Sequence, residues 1–217
     1  MSGLTALVIG ATGATGSELV KQLIEDDRFN SVVVFSRRAL DFTHAKLTCH
    51  VVDFDNPKSW SDLVKGDVLF SALATTLKQA GSQKEQYKID YTYQYQTAAT
   101  AVSNGVAKYV LVSAMGANAD SWLFYPRIKG ELDNAVAALP FNQIHIFRPG
   151  FLLRQLDKIR PMEKIGISII HFFNKLGLFK SQKPLPVALL AQKMRAVLVN
   201  PNAQQFQVYS LDSIFDL

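Results

Sequence analysis

Short apolar runs alternate along the chain with stretches whose apolar positions recur every three or four residues. Runs of strand length lie at Leu4–Ile9, Ser31–Ser36, Leu47–Val52, Asp67–Ala72, Tyr109–Ser113, Gln143–Phe147 and Gln205–Tyr209. Helical patterns separate them: Gly16–Glu25, a short one at Pro57–Lys65, a long one over Lys84–Asn104 closed by Gly105, then Tyr125–Ala138 and Val187–Val199. Strands that are apolar throughout, each followed by a helix, predict a parallel sheet covered on both faces. The expectation is an α/β fold, doubly wound, with about seven strands. No repeat, linker or low-complexity stretch interrupts it, so residues 1–217 read as one domain.

The alternation becomes irregular after Arg148-Pro149-Gly150. Met162, Ile165, Ile169, Phe172, Phe173 and Leu176 make a stripe that predicts an amphipathic helix inside a small lid or substrate segment, about 152–186. Charge concentrates there too. Between Arg154 and Lys183 stand seven Lys or Arg against Asp157 and Glu163, a surplus equal to the +5 of the whole chain. The remainder is balanced, which argues against a nucleic-acid surface. The segment reads as a packed helix with solvated charges, an apolar substrate wall, a homodimer surface, or an interfacial helix over 165–180 on an anionic membrane.

With 48% hydrophobic and 19% charged residues the composition is that of a globular chain. A single cysteine, Cys49, excludes a disulfide framework and reads as a small buried strand residue. Neither a secretory leader nor an apolar run of spanning length is visible, and the location expected is cytoplasmic. His44, His50, His145 and His171 lack metal-ligand spacing, so no metal is expected. His145 alternates with Ile144 and Ile146 and reads as a packed strand residue.

Two motifs carry chemistry. The first predicted strand empties into Gly10-Ala-Thr12-Gly13-Ala14-Thr15-Gly16, and a helix starts at once. The first glycine allows a tight turn, the second close approach of backbone N–H groups to a pyrophosphate, and the third close packing of helix on strand. The helix N-terminus adds unsatisfied donors and a positive dipole end. This strand–turn–helix context marks a Rossmann-type dinucleotide site. The second strand ends in Ser36-Arg37-Arg38, where NAD binders usually carry an acid. A guanidinium there can bond a 2′-phosphate, which points to NADPH over NADH. Asp53 and Phe54 read as an adenine edge or a plain turn.

In the second motif, Ser113 ends the fifth strand, and Tyr125 and Lys129 open the next helix four residues apart, hence on one face. The spacing suits reduction of a carbonyl compound, with Tyr125 as proton donor, Lys129 lowering the tyrosine pKa and holding the nicotinamide ribose, and Ser113 orienting the substrate oxygen.

With Gly10–Gly16, Ser36-Arg-Arg38, Val52-Asp-Phe54, Ala74-Thr-Thr76, Ser113, Tyr125, Lys129 and Phe147-Arg-Pro-Gly-Phe-Leu-Leu153, the chain resembles the short-chain dehydrogenase/reductase superfamily over nearly its full length. Within its atypical branch it looks closest to the Tat-interacting-protein-like oxidoreductases. The resemblance implies cofactor contacts from Thr12 to Thr15, Arg37, Arg38, Leu73, Ala74, Tyr125, Lys129 and the run Pro149, Gly150, Phe151 and Leu152. The chain departs from the wider superfamily in two places. Ser71-Ala-Leu-Ala-Thr-Thr stands where many members have Asn-Asn-Ala-Gly, and Asp90 stands where they have an Asn. Both departures touch the proton relay, which leaves a second reading: an NADPH-binding regulator acting through protein partners.

Overall fold

Leu4–Ile9 forms β1, whose side chains alternate between two apolar layers. Ala6 and Val8 face one layer with Leu19, Val20 and Leu23, while Leu7 and Ile9 face the other with Phe35, Trp60 and Leu132. This computed structural model describes residues 3–153, 184–199 and 205–217. The expected helix over Met162–Leu176, and with it most of the expected lid, lies outside the described residues.

Around β1 the strands are β2 (Phe29–Ser36), β3 (Leu47–Val51), β4 (Val68–Ser71), β5 (Lys108–Val112), β6 (Gln143–Arg148) and β9 (Phe206–Ser210). They make a seven-stranded, wholly parallel sheet in the order β3-β2-β1-β4-β5-β6-β9. Two short strands, β7 (Leu152–Leu153) and β8 (Leu185–Pro186), pair in parallel where the chain leaves and re-enters the described fold. One face is covered by α1 (Ala14–Ile24) and α6 (Val187–Ala196). The other is covered by α4 (Tyr93–Ser103) and α5 (Phe124–Ala137). Leu19, Leu23, Leu132 and Leu190 are fully buried, and each contributes about 1.5–3 kcal/mol of hydrophobic stabilisation.

Three local expectations change. Pro57–Lys65 is not a helix but two 3₁₀ turns, Pro57–Ser59 and Ser61–Leu63, hinged on the buried Trp60. The helix expected over 84–104 is present but not uniform. It follows a separate short helix, α2 (Leu77–Ala80), which ends at Gly81 in the left-handed region (φ +83°), and it opens as α3 (Gln83–Tyr87) with the Ser82 hydroxyl accepting from the Glu85 N–H. A π turn, Lys88–Thr92, then joins α3 to α4. Cys49 lies on edge strand β3, half-buried rather than buried, because an edge strand has a neighbour on one side only.

His145 is a packed strand residue, fully buried with its Nδ1 3.1 Å from the Tyr209 hydroxyl. α7 (Asp212–Phe215) closes the described chain against β9.

Candidate functional site

β1 is flanked by β2 on one side and β4 on the other, so the chain crosses the sheet in opposite directions from this strand. Ligands of such sheets bind in the crevice beyond the strand ends. Gly10 turns there with φ +84°, and a Cβ on it would stand 2.4 Å from the Ala72 carbonyl carbon and oxygen. Gly13 caps α1, its N–H donating to the Gly10 carbonyl at 3.0 Å. A Cβ on Gly16 would meet that carbonyl oxygen at 2.2 Å, so the helix lies against the turn closer than a side chain permits. The α1 N-terminus has neither a capping side chain nor an acid in its first turn. Its first N–H groups are therefore available to an anion.

Two clefts meet at this turn, both bordered by Gly13, Ala14 and Val187. The larger, about 610 Å³, runs past Thr12, Lys21, Arg38, Leu40 and Phe42, with Glu18 and Asp41 also on its wall. Arg38 thus presents a guanidinium to this cleft. Arg37 is exposed and lies outside the residues that border either cleft. Asp53 and Phe54 also lie outside them. Phe54 is 3% exposed, stacked on Tyr93 and edge-on to Trp60, so it belongs to the core. Asp53 makes a turn, accepting from the Asp55 N–H at 2.9 Å. Leu73 packs on the same core, whereas Ala74 borders the smaller cleft.

The smaller cleft, about 350 Å³, brings together Thr15, Ala74, Ser113, Tyr125, Lys129 and Leu152. Ser113 is held where β5 ends by its N–H donating to the Phe147 carbonyl at 2.7 Å. Pro149 anchors the next loop, accepting from the Met115 N–H at 2.9 Å. A Cβ on Gly150 would lie 3.3 Å from Leu211, so the strand exit runs tight against the segment after β9.

Lys129 is 1% exposed, and its ammonium has no hydrogen-bond partner among the described residues. Burial pushes its pKa down, opposed by the Asp90 and Asp133 carboxylates. Asp90 sits in the π turn, fully buried, accepting from the Thr75 N–H at 3.0 Å and the Gln86 amide at 3.2 Å. Asp133, one turn beyond Lys129, accepts from Arg148 Nε at 2.8 Å. Burial raises both carboxyl pKa values, and the neighbouring cations and donors oppose it. Tyr125 departs from expectation. The residue is 40% exposed, so its desolvation is only partial; that desolvation, then the Asp90 charge, push its phenol up to about 12 rather than towards neutrality.

Asp133 was missed by sequence reasoning, although it continues the Tyr125, Lys129 spacing by four more residues. Gly130 was missed as well. A Cβ there would meet the Ala119 nitrogen at 2.2 Å, because the loop before α5 folds back onto that helix. The unpartnered Lys129 ammonium, the bare α1 terminus and the glycine cradle fit a dinucleotide. Among the described residues no group of three His, Cys, Asp or Glu side chains is arranged to hold a metal.

Comparison with known proteins agrees with this geometry. Residues 10–139 match a family described as NAD(P)H-binding. "Protein FMP52, mitochondrial" of Saccharomyces cerevisiae is 41% identical over 154 residues, 69% of this chain and 66% of that protein, so the match spans about two thirds of that relative. "Protein HTATIP2" of Rattus norvegicus is 30% identical over 222 residues, covering 100% of this chain and 90% of the relative. Among solved structures, the Bordetella bronchiseptica enzyme WbmG in complex with NAD superposes with a TM-score of 0.72 at 12% identity, over 96% of this chain and 72% of that one. The cytoplasmic expectation is overturned by the mitochondrial names of the yeast relatives. It rested on the lack of a secretory leader and an apolar span, and neither feature distinguishes cytosol from mitochondrion.

Proposed function

Because this chain belongs to the NAD(P)H-binding, atypical branch of the short-chain dehydrogenase/reductase family, we propose that it is an NADPH-dependent oxidoreductase that reduces a carbonyl compound. The observation that carries the reading is the convergence of Ser113, Tyr125 and Lys129 on one cleft with the α1 N-terminus. When bound, the nicotinamide supplies a hydride. The Gly10–Gly16 turn and the first N–H groups of α1 would hold the pyrophosphate, and Arg38 would take a 2′-phosphate. Lys129, without a hydrogen-bond partner among the described residues, would donate to the nicotinamide ribose.

Ser113 holds the substrate oxygen and Tyr125 donates the proton to it. A phenol with a pKa of about 12 is fully protonated at neutral pH and is therefore in the donor form. An alkoxide is a much stronger base than a phenolate, so the transfer still runs downhill. Lys129 then stabilises the phenolate, its own charge sustained by Asp90 and Asp133. Association with mitochondria, as in the names of the yeast relatives, is part of this reading.

Tyr125→Phe tests it. NADPH oxidation with a panel of aldehydes, ketones and quinones should fall by about 10²–10⁴-fold while NADPH affinity stays within twofold. A wild-type protein that binds NADPH and turns over nothing above background would support the second reading, a cofactor-dependent regulator. One observation favours that alternative: Asp90, a carboxylate, raises the phenol pKa that turnover would use.

A further inference from the structure

The walls of the smaller cleft show what kind of carbonyl compound they accept. Lys129 is the only charged side chain among the described residues that border it; the rest of the wall includes Ala72, Ala74, Val112, Phe151, Leu152 and Leu153. Lys129 is not free to bind a substrate anion. It is buried, the Asp90 and Asp133 carboxylates act on its charge, and the proposed function assigns its donors to the cofactor. A carboxylate or phosphate entering this cleft would lose its hydration and meet no unshared cation among the described residues that border it, so a charged group is disfavoured there.

The rim continues the pattern. Among the described residues ten large hydrophobic side chains are exposed, and six of them follow the C-terminal ends of β4, β5 and β6. These are Leu77, Met115, Trp122, Leu123, Tyr125 and Phe151, with Trp122 86% exposed. Met115 and Phe151 are drawn together. The Met115 N–H bonds the Pro149 carbonyl, and its sulfur lies 3.8 Å from where a Gly150 Cβ would stand. Trp122 and Leu123 immediately precede α5, and their loop is tied down by the Asn118 N–H donating to the Pro126 carbonyl at 3.0 Å. Scattered exposed apolar side chains are ordinary, but Tyr125 and Phe151 border the cleft itself and Met115 lies against Gly150 beside it, and such a grouping marks a binding surface.

We propose that the substrate is an uncharged carbonyl compound with a bulky, largely aromatic body, its carbonyl between Ser113 and Tyr125 and its body over Phe151, Met115 and Trp122. This rests on the reductase reading for the carbonyl and on the rim for the body. The cleft of about 350 Å³ must hold the nicotinamide end of the cofactor as well as the reacting group, so the remainder of the substrate projects over the rim. Aromatic and sulfur-bearing side chains favour flat, polarizable partners there.

The test uses the full chain saturated with NADP⁺, with 2-naphthaldehyde and 6-formyl-2-naphthoate as probes of matched size, titrated by calorimetry. The neutral aldehyde should bind at least tenfold more tightly. Trp122→Ser with Met115→Ser should weaken it at least fivefold while leaving NADP⁺ affinity unchanged. Equal or tighter binding of the carboxylate, no binding of either probe, or indifference of the neutral probe to the rim substitutions would each overturn the inference. NADPH oxidation with the same aldehydes separates the two claims. Tight neutral binding without turnover removes the reductase reading and leaves this one standing, whereas turnover confined to anionic carbonyls does the reverse.

Discussion

The Asp133 carboxylate accepts a 2.8 Å hydrogen bond from Arg148 Nε, one helical turn beyond Lys129 and across the gap between α5 and the end of β6. Asp133 is 2% exposed, and its second oxygen has no hydrogen-bond partner among the described residues, although the Ser113 hydroxyl is near enough to favour its ionised form. The pair therefore ties three parts of the site together: Ser113 on β5, Lys129 on α5, and the Arg148-Pro149-Gly150 exit. Removing one member leaves the other desolvated and unpaired. Asp133→Ala should destabilise the fold by about 2–4 kcal/mol in urea unfolding, less than a fully buried pair because Arg148 is partly exposed. A loss below about 0.5 kcal/mol would show that the pair holds nothing in place.

The glycines of the turn differ in what they tolerate. Gly10 combines φ +84° with a 2.4 Å approach to the Ala72 carbonyl, so Gly10→Ala should cost more than about 2 kcal/mol in thermal unfolding. Gly13 has an ordinary φ of −82°, and a Cβ would meet only the Gly10 oxygen at 3.3 Å. Gly13→Ala should keep the fold within about 1 kcal/mol yet weaken NADPH binding at least tenfold, because the methyl would stand where a phosphate approaches. Unchanged NADPH affinity in Gly13→Ala would put the pyrophosphate elsewhere.

The two arginines should separate cleanly. Arg38 borders the larger cleft and Arg37 does not. Arg38→Ala should weaken NADPH by roughly 10–100-fold, as expected for about 1.5–3 kcal/mol of charge-assisted bonding, with NADH affinity nearly unchanged. Arg37→Ala should change either affinity by less than threefold. Fluorescence titration of both cofactors against both variants checks this, and equal losses for NADPH and NADH would argue against a 2′-phosphate contact.

His145 gives the fold a defined acid sensitivity. Burial, then the Lys108 charge, hold its pKa down at about 4, against an ordinary value of 6.5. Above 6.5 the ring is neutral in both folded and unfolded chains and contributes no pH dependence. Between 6.5 and 4 the unfolded chain takes up a proton that the native chain refuses, so stability falls as pH falls through that window, by roughly 2–3 kcal/mol in all. In His145→Gln this slope should disappear from unfolding curves collected between pH 4 and 7; an unchanged slope would assign the sensitivity to other groups.

How far the site could be read from sequence depends on how local each feature is. The glycine turn and the Tyr125, Lys129 spacing are set within one turn or one helix, where neighbouring residues alone decide geometry, and both border the smaller cleft. Arg37 and Arg38 are adjacent in sequence, yet only Arg38 reaches a cleft, because successive residues at a strand end point in different directions. The pattern likewise could not say that Phe54 turns inward onto Tyr93 and Trp60, since an aromatic residue suits a core and an adenine edge equally well.

By itself the sequence determined the parallel α/β layout, the glycine turn that opens α1 and the face of α5 that borders the smaller cleft. All three follow from periodicity and from backbone conformations that only glycine adopts without strain. Tertiary structure alone decided the charge environment of that face. A π turn rotates Asp90 into the buried space near Lys129, and Asp133 meets Arg148 from a strand fifteen positions away. Desolvation depends on what packs around a group in three dimensions, so the raised Tyr125 pKa and the balanced, fully buried Lys129 exist only once the sheet and α5 have closed on one another.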